Sequence, residues 1–176
     1  MHTPSLPGAA TLRCNTEVTE DMDPQTMLED NHDDLRAQLA KLATAHGTAA
    51  ERLFADFKTA LSLHTELEQS FIYSHLRQDE ATRQDALEAL EEHHLIQNLV
   101  LEITDFKPKD ETWAPKMRLL KRLMEQDIER EERILFPRLA NILDDDKCRH
   151  VARAMEEQQA TLRKQLEILS PTGAEM

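Results

Sequence analysis

The chain is expected to be all-α, an up-down-up-down four-helix bundle with a fifth helix at its C-terminal end. Three observations predict this. Apolar residues recur at three- and four-residue intervals over long segments, the period of a helix with one buried face. The Val/Ile/Thr/Tyr alternation of strands is missing, and only three glycines interrupt 176 residues. The breaks between periodic segments are short, and short connections between long helices make them antiparallel neighbours.

The elements follow in order. Residues 1–22 hold Pro4, Pro7 and Gly8 and show no periodicity, so they are expected to form a flexible arm. Asp23-Pro24 is a helix start, with Asp as N-cap and Pro as the first helical residue. The first helix should run to about Ala45, with Leu28, His32, Leu35, Leu39 and Leu42 on one face, and Gly47 should stop it. Thr48-Ala-Ala-Glu51 has the form of a capping box opening a second helix that reaches about Arg77. Asp79 or Thr82 restarts the chain as a third helix carrying Leu87, Leu90, His93, Ile96, Val100 and Ile103. DFKPKDETWAP is a loop, with Pro115 near the first turn of a fourth helix that runs to about Leu143. Pro137 should kink or locally open that helix, because it has no N–H to donate. Asp144-Asp145-Asp146 places negative charge at the start of a last helix, whose stripe is Val151, Met155, Leu162, Leu166 and Leu169. The division expected is therefore an arm (1–22), a bundle (23–143) and a C-terminal helix (144–170) that caps the bundle or offers a homodimer face.

Composition narrows the function. A net charge of −13 disfavours nucleic acid and anionic membrane surfaces as partners. No apolar run approaches the roughly 20 residues of a membrane span. MHTPSLPGAATLRCN lacks the continuous apolar stretch of a signal peptide. Two cysteines, Cys14 and Cys148, make no disulfide framework, which suits a reduced, cytoplasmic setting.

The informative residues are polar ones in apolar stripes. His64 and Glu68 lie four apart on the face that carries Phe57, Leu61 and Phe71. Asp127 and Glu131 repeat the spacing among Leu120, Met124, Leu135 and Leu139. His32 and His93 lie on the inner stripes of the first and third helices, while His94 is rotated off the stripe. His2, His46, His75 and His150 fall in the arm, at helix ends or on polar faces. Residues four apart share a helix face, and burying an unpaired carboxylate costs several kcal/mol. One buried histidine is ordinarily a hydrogen-bonded core residue. Three imidazoles and three carboxylates converging from four helices call for a shared partner. Mixed nitrogen and oxygen donors in this number suit two transition-metal ions better than one zinc, which takes four ligands. Without thiolates an iron–sulfur cluster is excluded.

These motifs resemble the hemerythrin-like (HHE cation-binding) family over about residues 25–143. LEDNHDDL supplies the first-helix histidine, His32; HTELEQSFIY supplies HxxxE with His64 and Glu68; ALEEHHLI supplies His93; DIEREERILFP supplies Glu131 before LFP. The resemblance implies two non-haem iron ions, bridged by carboxylates and an oxo or hydroxo group, with a small diatomic ligand or peroxide as partner. Two positions depart from the pattern: Asp127 stands where the family usually has His, and Ser74 where a Pro often follows the tyrosine. An anionic donor at 127 favours Fe(III) over Fe(II) and lowers the reduction potential, which works against reversible oxygen carriage. The leading expectation is a di-iron protein that senses or handles oxygen, peroxide or nitric oxide, or acts in iron homeostasis. A di-iron oxidase or peroxidase-like enzyme and a metal-free helical adaptor are the competing readings. Tyr73 and Trp113, the candidate redox side chains, are expected to serve packing.

Overall fold

The computed structural model describes residues 23–169, and within them the chain forms five helices and no strands. Helix α1 is Pro24–Leu42. Helix α2 begins as Gly47–Leu67, passes through a π-helical segment Glu68–Tyr73 and ends at Ser74–Leu76. Helix α3 is Arg83–Thr104. Helix α4 comprises Trp113–Arg130, a second π-helical segment Glu131–Leu135 and a final stretch Phe136–Ile142. Helix α5 is Asp145–Leu169. The expected arm, 1–22, lies outside the described residues, as does residue 170.

α1 pairs with α2 and α3 with α4, the ends of α2 and α4 meet, and α5 lies across α1 and α2. The bundle expected from the sequence is therefore the one observed. Asp23 caps α1 as expected, accepting the backbone N–H of Gln25 at 2.8 Å and of Thr26 at 3.3 Å. Asp144 does the same for α5 through the N–H of Lys147 at 2.9 Å. Arg130 ties α4 to α3 by bonds to Glu92 (2.7 Å), Glu88 (3.1 Å) and the carbonyl of Asp85 (3.2 Å).

Three local expectations fail. The capping box at Thr48 does not form, because α2 begins one residue earlier and Thr48 lies inside the first turn. His46, extended at φ −135°, stands at the cap and makes no side-chain bond there. Gly47 does not stop α1, which ends at Leu42; it starts α2 in the left-handed region, at φ +57°. On α3, Leu87 is not part of the inner stripe but 39% exposed. The buried series is Ala86, Ala89, His93, Ile96, Val100 and Ile103, whose alternating three- and four-residue steps keep phase. Ala86 and Ala89, with no exposed surface, are the residues through which this end of α3 enters the core.

The core is two apolar clusters with a polar layer between them. One holds Met27, Leu28, Leu67, Ile72, Leu76, Ala86, Ala89, Leu135, Leu139 and Met155. The other holds Leu35, Leu39, Phe54, Phe57, Leu61, Ile96, Ile103, Leu120, Met124 and Ile128. Along α1 the boundary falls between Leu28 and Leu35, along α2 between Leu61 and Leu67, along α3 between Ala89 and Ile96, and along α4 between Ile128 and Leu135. His32, His64, His93 and Glu131 sit at that boundary, Glu68 follows Leu67 and Asp127 precedes Ile128.

Gly47 gives a direct test of the α1–α2 connection. A Cβ there would meet no atom within 4 Å, so a clash is not at issue. The left-handed backbone still costs an L-residue roughly 1–2 kcal/mol. Gly47→Ala should therefore lower the unfolding free energy by about that amount, with an unchanged denaturant slope, in urea titration.

Candidate metal centre

The four bundle helices each bring polar side chains to the boundary layer. His32 comes from α1, His64 and Glu68 from α2, His93 from α3, and Asp127 and Glu131 from α4. None is more than 5% exposed. Water therefore does not solvate them, and they must satisfy one another or a shared guest.

Both glutamates open a π-helical segment. Such segments close hydrogen bonds five residues apart instead of four and widen the helix, often at functional sites. In α4 the cause is Pro137, which has no N–H and whose ring crowds the carbonyl of Arg133. In α2 two side chains take up carbonyls of the widened turn. The Ser74 hydroxyl donates to Ser70 O and the His75 ring binds Phe71 O, each at 2.6 Å. Ser74 thus supports in α2, by another route, the distortion that Pro137 causes in α4. The geometric result is the same in both helices. A residue five on from the glutamate, which a regular helix would turn aside, comes into line with it. Five on from Glu68 is Tyr73, whose hydroxyl donates to Glu131 and lies 3.1 Å from His93 Nε2. Five on from Glu131 is Phe136, whose ring stacks on His32 at 5.8 Å and 9°.

The donor atoms meet closely. Glu68 Oε2 lies 3.1 Å from His64 Nε2 and 3.3 Å from His93 Nε2, while Glu68 Oε1 lies 3.5 Å from His32 Nε2. Glu131 Oε2 is 3.2 Å from His32 Nε2, and Glu131 Oε1 is 3.4 Å from His93 Nε2. Asp127 Oδ2 is 3.3 Å from His93 Nε2. Two groups could each hold a metal ion: His32, His64, Glu68 and Glu131, and His93, Asp127 and Glu131, with the ligand atoms of each within 4.8 Å of one another. Donors about 2.0–2.2 Å from one ion stand about 2.8–3.6 Å apart at octahedral or tetrahedral angles, so the spacing fits. All six residues singled out from the sequence are brought together. His94, in contrast, is exposed and pairs with Glu91 at 3.6 Å.

Charge and hydrogen bonding also fit a cation. His32 Nε2, both oxygens of Glu68, Asp127 Oδ1 and Glu131 Oε2 are buried without a hydrogen-bond partner. Orphaned buried acceptors in such number are rare in folded proteins and mark a site for an ion. In the metal-free protein, protons take part of that role. Burial disfavours the imidazolium of His32, but the carboxylates of Glu131 and Glu68, 3.2 and 3.5 Å from its Nε2, outweigh it and raise its pKa to about 10. His93 is raised to about 11 in the same way, with Asp127 and Glu131 outweighing burial. Glu68 is held far below the usual carboxylate range, because its three histidines overcome the cost of burial. Asp127 goes the other way, pushed up to about 7 by burial and by the charge of Glu131.

Two features were not foreseen. Tyr73 is not mere packing: its hydroxyl belongs to the polar layer, brought there by the π segment. Trp113 does pack, against Phe54 with ring centroids 5.2 Å apart. Glu132, which reads from sequence as a solvated charge, accepts from His32 Nδ1 at 2.9 Å and pairs with Arg36 at 3.1 Å.

Among the described residues no helix is long and apolar enough to cross a membrane. No curated protein and no solved structure gives a significant match to the chain. Residues 23–139 match the hemerythrin HHE cation-binding domain, a span from the cap of α1 to the last stretch of α4 that includes all six donors. With its helical bundle and its buried His/Glu cluster able to bind metal, the chain belongs to the hemerythrin HHE cation-binding domain family.

Proposed function

We propose that this protein binds two non-haem iron ions in the polar layer and senses or handles oxygen, peroxide or nitric oxide. One ion would be held by His32, His64, Glu68 and Glu131, the other by His93, Asp127 and Glu131. The observation that carries this reading is the reach of the two glutamates. Glu131 directs one oxygen at His32 and the other at His93, and Glu68 directs one at His32 and the other at His64 and His93. Glu131, which belongs to both groups, would serve both ions, and Glu68 would serve the first while reaching toward His93 of the second. Bound iron would supply one-electron redox chemistry toward a small ligand. The protein's own contribution is to exclude water, to fix six donors on four helices and to place three negative charges beside the ions. The residues proposed to form this unit are 23–143, with α5 packed outside it.

A second reading, an oxidase or peroxidase-like enzyme, draws on Tyr73. Its hydroxyl is a buried proton donor held on Glu131 beside His93. Turnover of peroxide that falls in Tyr73→Phe would favour this reading. Ligand binding without turnover would favour the first.

Metal analysis of the purified protein should give about two ions per chain. Asp127→Ala should lower this toward one, because the second group would keep only His93 and Glu131. Asp127→His replaces an anionic donor by a neutral one and should raise the reduction potential while keeping both ions. Wild-type stoichiometry in Asp127→Ala, with no change in the optical spectrum of Asp127→His, would remove Asp127 from the site.

Protons and metal compete for the same atoms, which fixes the direction of the pH dependence. His32 and His93, with an ordinary value of 6.5, are raised on folding, so their contribution is complete below 6.5 and lost as pH rises through about 10 and 11. Asp127, raised from 3.8 to about 7, acts with the same sign at lower pH. Glu68, lowered from 4.5, contributes above that value and loses its effect as pH falls below it. Metal-free protein should therefore melt at a lower temperature at pH 9 than at pH 6.5. Metal displaces the two imidazolium protons, so affinity should rise over the same interval. Calorimetric scans of both forms at the two pH values check the prediction. Chelation that leaves the melting curve unchanged would oppose it.

A further inference from the structure

His32 differs from the other two buried histidines at its outer nitrogen. Nδ1 of His64 and Nδ1 of His93 are buried with no hydrogen-bond partner among the described residues. Nδ1 of His32 lies 2.9 Å from Glu132 Oε1. A carboxylate can only accept there, so Nδ1 carries the proton and Nε2 is the atom turned toward Glu68 and Glu131. The ring is held on other sides as well, by Phe136 stacked on its face and by His64 edge-on at 4.8 Å. Glu132 itself is partly exposed, and its second partner is Arg36, through Nη1 at 3.1 Å. Arg36 is shared among three carboxylates, with Asp33 at 3.3 Å and Glu125 at 3.4 Å. A surface ion pair thus ends on one buried imidazole of the layer.

We propose that Glu132 is a positioning residue for His32, and that the charge of Arg36 sets how strongly it acts on a metal bound there. The proposal rests on the metal-binding reading above. An anionic acceptor on the outer N–H of an imidazole fixes its tautomer and makes its other nitrogen a stronger donor, which stabilises the higher oxidation state of the metal. A guanidinium on that acceptor draws charge away and weakens the effect. Glu132 and Arg36 therefore pull the reduction potential in opposite directions, and solvent reaches both.

The full chain and three variants, Glu132→Gln, Glu132→Ala and Arg36→Gln, test this. Each is loaded with Fe(II) alone. Stoichiometry and affinity are read by chelator competition, and the midpoint potential by spectroscopic titration. Glu132→Gln keeps an acceptor for Nδ1–H and loses the charge. It should keep both ions, bind the first roughly tenfold more weakly, and show a raised potential. Glu132→Ala should weaken binding further. Arg36→Gln should lower the potential, the opposite sign. A purely structural ion pair, broken from either side, would move both single variants the same way or neither, and that result overturns the proposal. Wild-type protein that takes up no Fe(II) would instead overturn the metal reading itself, and this inference with it.

Discussion

The structure depends on one constraint: six ionisable side chains lie in a layer closed off from water between two apolar clusters. Charges in such a place need compensation at short range, because their hydration is gone. In the metal-free protein the compensation is internal. Protons on His32 and His93 face the carboxylates of Glu68, Glu131 and Asp127, and Asp127 is pushed toward its neutral form. The arrangement holds together but leaves carboxylate oxygens of Glu68, Asp127 and Glu131 buried without hydrogen bonds. An all-apolar layer of the same volume would have no such requirement and would often be at least as stable. The polar layer is thus hard to explain by folding alone.

The π segments answer a second constraint. The α-helical period brings i and i+4 to one face, enough for His64 with Glu68 and for Asp127 with Glu131. A third group on the same face, one long side chain farther on, is out of phase in a regular helix. Widening the helix at each glutamate brings Tyr73 and Phe136 into the layer. One supplies a hydroxyl to Glu131, and the other a flat surface for His32. The two distortions have different local causes, a proline in α4 and side-chain bonds to freed carbonyls in α2. They reach the same end, and that makes the phase shift a property of the site rather than an accident of Pro137.

This also explains what could be read from the sequence. The cap at Asp23, the order of the helices and the six inward polar residues follow from the 3.6-residue period and short-range chemistry. The signal at 137 pointed to an opened helix, and the helix opens there. Tyr73 was out of reach because its placement needs the π segment of α2, which no proline announces. Glu132 was out of reach because its partners, His32 and Arg36, lie on α1, about a hundred positions away in the chain. Leu87 reads as inward by its size, but Ala86 and Ala89 are the residues that keep the period. Gly47 reads as a helix stop, but a left-handed glycine can begin a helix as well as end one, and here it begins α2.

The two donor groups are not equivalent, and this gives Asp127 its meaning. The His32 group has two imidazoles and two carboxylates, with one ring fixed from outside by Glu132. The His93 group has one imidazole, the shared Glu131 and a short carboxylate whose outer oxygen is buried and unpaired. In the proposed di-iron reading the first position is richer in nitrogen and better supported. The second carries more negative charge per neutral donor and holds its ligands from fewer directions. Two ions so placed would differ in potential, with the more anionic position favouring the higher oxidation state. Tyr73 stands beside this second group, its hydroxyl 3.1 Å from His93 Nε2 and donating to the shared Glu131. Asp127, 3.3 Å from the same His93 Nε2, and the tyrosine that the π segment brings in therefore act on one donor group.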